Sequence, residues 1–247
     1  MSRALIVHQA GPGMTVQDPG RPGFLAFGLS RGGAADRLAL TEGAALLGQP
    51  ETCAAVEMVG TGGTFEATED LRIALTGAPM RTSIDGARLE WNASHALPRG
   101  AQLSIGPATH GVYGYLHVGG GLETPLRLGA RSAHMAAGIG SPIQRGSSLP
   151  VGADTDSETG LALAPDMRFD GGTIRLVPSL QTEMFPRSEI QRFEDTEFRR
   201  DTRGNRMGIR LVQDGAGFHS DAGLSVLSEI IVPGDIQITG DGSPFVL

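Results

Sequence analysis

Four charged side chains, Asp18, Arg21, Arg31 and Asp36, fall on the stretch TVQDPGRPGFLAFGLSRGGAAD between Thr15 and Asp36. Carboxylates in such a place can take a proton or hold an arginine, and arginines can grip a carboxylate or polarise a carbonyl. The backbone that carries them holds Gly20, Gly23, Gly28, Gly32 and Gly33 together with Pro19 and Pro22. Glycine admits positive φ and close approach, whereas proline fixes φ and removes a donor, so the stretch reads as a shaped loop system. Two later blocks carry matching chemistry. Arg206 and Arg210 flank Gly208 four residues apart, a spacing that puts both on one face of an extended strand, ready for an anion. Ser228-Glu229 places a hydroxyl and a carboxylate ahead of Pro233-Gly234-Asp235-Ile236-Gln237.

Other patterns exclude more than they offer. All 20 basic residues are arginine. Without lysine there is no Walker P-loop, no Schiff base and no lysine general base, so phosphate binding by lysine would fall to a partner. Gly28-Leu29-Ser30-Arg31-Gly32 matches the G-x-S-x-G elbow in letters, but that elbow needs a strand, a sharp turn and an immediate helix, and a glycine-rich loop is the plainer reading. None of the six histidines forms H-x-H, H-x-x-x-H or H-E-x-x-H, so no metal site is expected. His117 ends an alternating strand just before Gly119-Gly120-Gly121, a place either for a hydrogen-bonded structural histidine or for a pocket residue. Cys53, the single cysteine, lies in the apolar run CAAVEMV and reads as a buried, inert thiol. Asp154, Asp156 and Glu158 imitate the start of a calcium loop but lack its later positions, and read as solvated loop.

The elements that position these residues read mostly as short strands. Expected strands are Ala4–His8, Met14–Gln17, Ala54–Val59, Gly63–Thr68, Leu71–Thr76, Arg81–Ile84, Arg88–Trp91, Ala101–Ile105, Val112–Val118, Thr173–Val177, Ile209–Val212 and Glu229–Thr239. Asp85-Gly86 suits a type I′ hairpin turn. A helix is expected from about Asp36, a good N-cap, to Leu47, with Gly48 in the left-handed position after it. Ser179–Phe198 is the second helical stretch, broken at Pro186. Segment 119–160 is rich in glycine, serine and alanine and ends in the acidic group Asp154, Asp156 and Glu158. Composition agrees with many turns between short strands: 247 residues include 37 glycines but only 5% aromatics. A net charge of −7 argues against nucleic-acid binding, and no run approaches the ~18 apolar residues of a membrane span. A cytoplasmic protein is the expectation.

Taken in order along the chain, these residues resemble the biotin-dependent carboxyltransferase-like family, which includes the C component of 5-oxoprolinase, allophanate hydrolase subunit 2 and part of urea carboxylase. The resemblance rests on Asp18, Gly20-Arg21-Pro22-Gly23, Gly28 and Gly33-Ala34-x-Asp36. It continues through Glu57, Leu75-Thr76-Gly77-Ala78, Tyr115-Leu116, Gly119-Gly120-Gly121, Leu128-Gly129, Arg206-Met207-Gly208, Ser228-Glu229 and Gly234-x-Ile236-Gln237. It implies an all-β fold of cyclophilin-like barrel lobes with one or two short helices, 1–160 carrying the glycine-rich loop and 161–247 forming a C-terminal lobe that reads as incomplete at its end. It further implies a subunit of an ATP-dependent 5-oxoprolinase that opens 5-oxoproline to glutamate, with ATP bound in the assembled complex and no intrinsic cofactor. The alternatives are a carboxyltransferase subunit of a urea carboxylase/allophanate hydrolase system, with biotin on a partner, and a non-catalytic Kip-type regulator. The partner in each case is a sister subunit of the allophanate hydrolase subunit 1 type, for which the acidic segment Ser179–Arg200 is one candidate face. Candidate catalytic residues are Asp18, Arg21 and Asp36, with the choice of proton carrier between the two aspartates left open. Candidate substrate contacts are Gly33, His117, Arg206, Arg210, Ser228 and Glu229. The loop after Leu128-Gly129 departs from the family pattern.

Overall fold

The computed structural model describes residues 3–164, 167–201, 206–221 and 230–247. The chain divides into two compact units, Met1–Gly171 and Gly172–Leu247. The first contains β1 (Ala4–Gln9), β2 (Thr15–Gln17), α1 (Arg37–Leu47), β3 (Ala55–Val59), β4 (Thr64–Ala67), β5 (Leu71–Gly77) and β6 (Met80–Ile84). After these come β7 (Ala87–Arg88), β8 (Ala93–Leu97), β9 (Gln102–Ala108), β10 (Tyr113–Val118) and β11 (Ser148–Pro150). They form an antiparallel six-stranded sheet in the order β11-β1-β4-β9-β6-β7 and a five-stranded sheet in the order β2-β3-β10-β5-β8. Leu5, Val7, Phe65, Leu103 and Ile105 from the first sheet meet Val56, Met58, Ile73, Leu75 and Leu116 from the second in one buried cluster. The all-β expectation holds, with two α-helices among the described residues.

Strand alternation then decides what lies on the other face of the five-stranded sheet. Because successive side chains point to opposite faces, placing Val56, Ile73, Leu75 and Leu116 in the core turns Glu57, Arg72, Thr76, Tyr115 and His117 toward α1 and the loop that precedes it. β5 is consequently buried on both faces along its whole length. α1 begins as expected: the Asp36 side chain accepts from the Ala39 N–H at 3.2 Å, and Gly48 ends the helix in the left-handed conformation. It covers the polar face with Ala39, Leu40, Gly43, Ala44, Leu46 and Leu47.

Arg72 is the buried cation of that face. Its fork donates to both oxygens of Asp154 at 2.8 and 2.7 Å, to Asp156 at 3.3 Å, and to the carbonyls of Glu158 and Leu47, each at 2.9 Å. The Leu47 contact puts a positive charge on the last turn of α1, where the helix dipole favours it. The acidic group expected to be solvated loop is therefore a clamp. Burial alone would push the Asp154 carboxyl up, but hydrogen bonds from Arg72 hold it below its usual value.

Several strand expectations need correction. β8 and β11 appear where no strand was expected, because their ladder partners, Leu71–Leu75 and Ala4–Ile6, supply what their own sequences do not signal. Arg88–Trp91 shortens to Ala87–Arg88 after a hairpin whose Asp85 (φ 47) and Gly86 (φ 85) are both left-handed, as the turn type requires. Thr173–Val177 forms no ladder among the described residues, and propensity without a partner does not make a strand. Of Glu229–Thr239, only Ile236–Ile238 is strand, and Glu229 lies outside the described residues.

The second unit contains α2 (Arg187–Asp195), β12 (Arg199–Arg200), β13 (Ile209–Val212), β14 (Ile236–Ile238) and β15 (Pro244–Val246), in a sheet ordered β12-β13-β15-β14. α2 starts directly after Pro186, as the break there requires. Phe193, Phe198 and Phe218 form its aromatic centre with ring centroids 5.0–5.9 Å apart, and the Arg192 guanidinium lies 4.0 Å over the Phe218 ring. No helix among the described residues is long and apolar enough to cross a membrane.

His117 binds the helix to the sheet. A Cβ on Gly43 would lie 2.3 Å from three atoms of its ring, so the imidazole fills the space that glycine leaves. Gly43→Ala should therefore lower stability by about 1–3 kcal/mol through overpacking, although the same exchange on an exposed helix face would gain about 1 kcal/mol. An unchanged or raised melting temperature would refute the contact. The Thr76 hydroxyl donates to the Ala39 carbonyl at 2.8 Å and so must accept from His117 Nε2, also at 2.8 Å, which fixes the neutral tautomer. Burial lowers the His117 pKa from 6.5 to about 4. The unfolded ring holds its proton more tightly, so stability is lost as pH falls from about 6.5 toward 4, by about 3 kcal/mol in total. Denaturant midpoints across that window should fall in the wild type, and the fall should flatten in His117→Gln.

Candidate functional site

The Thr15–Asp36 stretch is held from below by the polar face of the sheet. Tyr115 donates its hydroxyl to Glu57 Oε2 at 2.7 Å and accepts from the Asp36 N–H at 2.8 Å, while the Ala35 N–H donates to the same Glu57 oxygen at 2.8 Å. Tyr115 and Glu57 stand opposite each other on β10 and β3, so ladder register brings them together. Burial pushes the Tyr115 phenol well up, which keeps it a donor. This network fixes the approach to α1. Its N-cap, Asp36, is also paired with Arg168 at 3.2 Å, and Arg168 grips both oxygens of Glu42 at 2.6 and 2.9 Å.

Asp18 and Arg21 hold the middle of the stretch. Asp18 is buried; one oxygen accepts from the Gly20 N–H at 2.8 Å and the other from the Arg131 N–H at 2.6 Å. Its carbonyl accepts from the Ala34 N–H at 2.9 Å, closing the loop on itself. Gly33 makes this closure possible: a Cβ there would sit 2.7 Å from the Asp18 carbonyl oxygen. Arg21, 1% exposed, donates from Nε to the Arg127 carbonyl at 3.4 Å and from Nη2 to the Ser132 carbonyl. Its Nη1 has no partner among the described residues. Gln17 adds a hydrogen bond to the Ala133 carbonyl at 3.2 Å. The opening loop and the 127–134 loop thus form one body.

A cleft of roughly 330 Å³ opens beside this body, between Asp18–Gly20, Thr52–Ala54, Gly120–Glu123 and Arg131. Its volume is at the small end of ligand pockets, about 300–1,000 Å³. The Arg131 side chain makes one hydrogen bond among the described residues, to the Thr124 carbonyl, leaving further donors of its planar fork for a carboxylate or carbonyl. Cys53 is not fully buried as expected. It is half-buried and lines the cleft, its thiol pushed up by burial and pulled back by the nearby Arg131 charge. No cluster of metal-ligating side chains occurs among the described residues.

Of the residues singled out in the sequence, Asp18 lines the cleft and Arg21 holds its wall, while Asp36 caps the helix on the other side of the Tyr115 network. His117 is buried beneath α1, where its geometry serves side-chain contact. Arg210 in the second unit is already paired, with Asp241 at 2.5 Å and Asp201 at 3.9 Å. Arg206 is exposed and precedes β13 instead of lying on it. Ser228 and Glu229 lie outside the described residues. Ser30 Oγ and His134 Nε2 do meet, at 2.8 Å, but on an exposed coil and not at a strand-to-helix elbow. Sequence reading missed Arg131 and Cys53 as lining of the cleft, and Tyr115 as the support of the loop beside it. The signal for Tyr115 was its alternation with buried Leu116, which turns it to the Glu57 side.

The family model described as carboxyltransferase domain, subdomain A and B, matches residues 27–247. The C component of 5-oxoprolinase from Haemophilus influenzae is 31% identical over 237 residues, covering 94% of this chain and 75% of its own. That of Escherichia coli is 30% identical over 247 residues, covering 98% and 79%. The urea amidolyase of Saccharomyces cerevisiae is 28% identical over 138 residues, 56% of this chain and 8% of that protein. Among solved structures, TTHA0988 has a TM-score of 0.87 at 28% identity; all of this chain is covered, and it spans about half (49%) of that one. The urea carboxylase of Kluyveromyces lactis shares the fold, with a TM-score of 0.81 at 23% identity over 24% of its length.

Cys53 reports on the cleft directly. Alkylation by iodoacetamide at about pH 8 should be slow in the wild type and several-fold slower in Arg131→Gln, because the lost charge lets the thiol pKa rise further. An unchanged or faster rate would show that Arg131 does not face the thiol.

Proposed function

The chain belongs to the carboxyltransferase-domain family, subdomains A and B, and we propose that it is one subunit of an ATP-dependent 5-oxoprolinase-type complex, active only with its partner subunits. Its two relatives named as 5-oxoprolinase subunits support this reading. The observation that carries it is a cleft with recognition chemistry and no complete reaction machinery. Arg131 offers a fork for the carboxylate of 5-oxoproline, and the glycine-rich walls leave room for one lactam-sized molecule. Opening the lactam breaks its C–N bond, adds the elements of water and leaves the amine of glutamate. The developing oxyanion needs donors, and the nitrogen needs a proton.

Among the described residues the cleft holds no paired nucleophile and base, and the whole chain has no lysine for ATP phosphates. A sister subunit of the allophanate hydrolase subunit 1 type would supply both. In this reading Asp18, Arg21 and Asp36 are positioning residues, because each is held by backbone groups or an ion pair inside the fold. A second reading, carboxyl transfer to urea with biotin on a partner, is supported by the similarity to the yeast urea amidolyases.

Co-expression with the sister subunits should give a complex that releases glutamate from 5-oxoproline only when ATP is present. Arg131→Gln should leave assembly intact and raise KM by about tenfold or more, the loss of one charge-assisted contact. An intact complex that releases no glutamate would sink the first reading, and urea-dependent consumption of carboxybiotin by that complex would establish the second.

A further inference from the structure

Two loops that are distant in sequence share an unusual composition. Residues 19–35 and 124–149 contain no aspartate and no glutamate, in a chain with 27 acidic residues and a net charge of −7. They carry Arg21, Arg31, Arg127, Arg131 and Arg145 instead. Away from these loops, Arg72, Arg168, Arg192, Arg199 and Arg210 have carboxylate partners within hydrogen-bonding distance. On these loops Arg31 donates to the Pro19 carbonyl and Arg131 to the Thr124 carbonyl, and among the described residues no carboxylate pairs with Arg31, Arg127 or Arg131. The loops are joined by Arg21 bonds to the Arg127 and Ser132 carbonyls and by the Ser30–His134 contact, so their outer side chains form one surface.

That surface is also apolar. Leu25 is 74% exposed, Phe27 83%, Leu126 58% and Leu128 50%. Leu128 is the most telling. Arg127 and Ala130 exchange backbone hydrogen bonds at 2.8 and 3.2 Å around a two-residue turn of Leu128 (φ 51) and Gly129 (φ 78). Both turn positions of this type I′ geometry favour Asn, Asp or Gly. A leucine there is strained, and it projects into solvent instead of a core.

We infer that this acid-free face, centred on Phe27 and Leu128 and fringed by Arg31 and Arg127, is the docking surface for a partner protein whose contact face is apolar at its centre and acidic at its edge. Phenylalanine and arginine are enriched at interface centres, and the exposed leucines beside them add apolar area that docking would remove from water. The charge asymmetry fixes the partner's sign. The cleft lies at the foot of this face and shares Leu126 with it, so a docked protein would reach the same space as the substrate. The identity of the partner as the sister subunit of the allophanate hydrolase subunit 1 type rests on the function proposed above.

Leu128→Asn separates docking from folding, because it relieves strain while removing the contact. It should raise the melting temperature of the isolated chain by about 2–4 °C. It should also weaken binding of the purified sister subunit at least tenfold by calorimetry, as should Phe27→Ser. Wild-type binding should weaken as salt rises, with a shallower dependence in Arg127→Gln. A sister subunit that binds the wild type and all three variants equally would refute the surface and leave the proposed complex standing. One that does not bind the wild type would refute both. Self-association of the wild type in sedimentation, abolished by Leu128→Asn, would assign the face to a second copy and overturn the inference.

Discussion

A buried guanidinium, Arg21, connects the two loops on which the candidate site depends. It is 1% exposed and donates its hydrogen bonds to the carbonyls of Arg127 and Ser132, more than a hundred residues along the chain. A charge in that position needs compensation, because desolvation of an isolated ion is costly. Here carbonyl dipoles provide it, with no carboxylate partner among the described residues. Carbonyls belong to the backbone, so the bond fixes the course of the chain as well as the position of a side chain. Asp18 does the reciprocal work by accepting from the N–H groups of Gly20 and Arg131. Cation to carbonyls and anion to N–H groups, the pair locks both loops with opposite charges.

Those loops rest on a polar face that strand alternation creates. Filling the core with Val56, Ile73, Leu75 and Leu116 leaves Glu57, Arg72, Thr76, Tyr115 and His117 with nowhere to go but the helix side. Each finds a specific partner there: Tyr115 meets Glu57, His117 meets Thr76, and Arg72 meets Asp154 together with the end of α1. Buried polar groups of this kind contribute little net stability but strongly disfavour alternatives, since any shift in register would leave them unsatisfied. The helix is thereby set at one angle, its N-cap at one place, and the opening loop at one height over the sheet.

Much of this was legible in the sequence, and the gaps have physical causes. α1 was readable because its signals are local: Asp36 and Gly48 are caps that act within a few residues. The Asp85-Gly86 hairpin was readable for the same reason. β8 and β11 were not, since each depends on a partner strand elsewhere in the sequence. Thr173–Val177 erred in the opposite direction, having strand propensity without a ladder among the described residues. Asp154 and Asp156 were read as solvated because the arginine they hold lies more than eighty residues before them. Asp18 and Arg21 stood out in the sequence, but their chemistry was ambiguous: a charged residue on a glycine-rich loop serves substrate or backbone equally well until its neighbours are known.

The same limit governs the surface composition. A lack of acidic residues over 19–35, or over 124–149, means little by itself, since short windows of any chain fluctuate in charge. It becomes meaningful when Arg21 and His134 join the two segments, because two independent absences then coincide on one face. In a protein of charge −7 such a face feels the field of the remaining surface as attraction, so the positive charge there is sustained by carbonyls, with no carboxylate partner among the described residues. Neither segment itself carries a carboxylate that would repel an acidic protein, and arginines with no carboxylate partner among the described residues remain available to it. The loop after Leu128-Gly129 is therefore read by its physical character in this chain, basic and apolar, which a docked protein would meet whatever its exact letters.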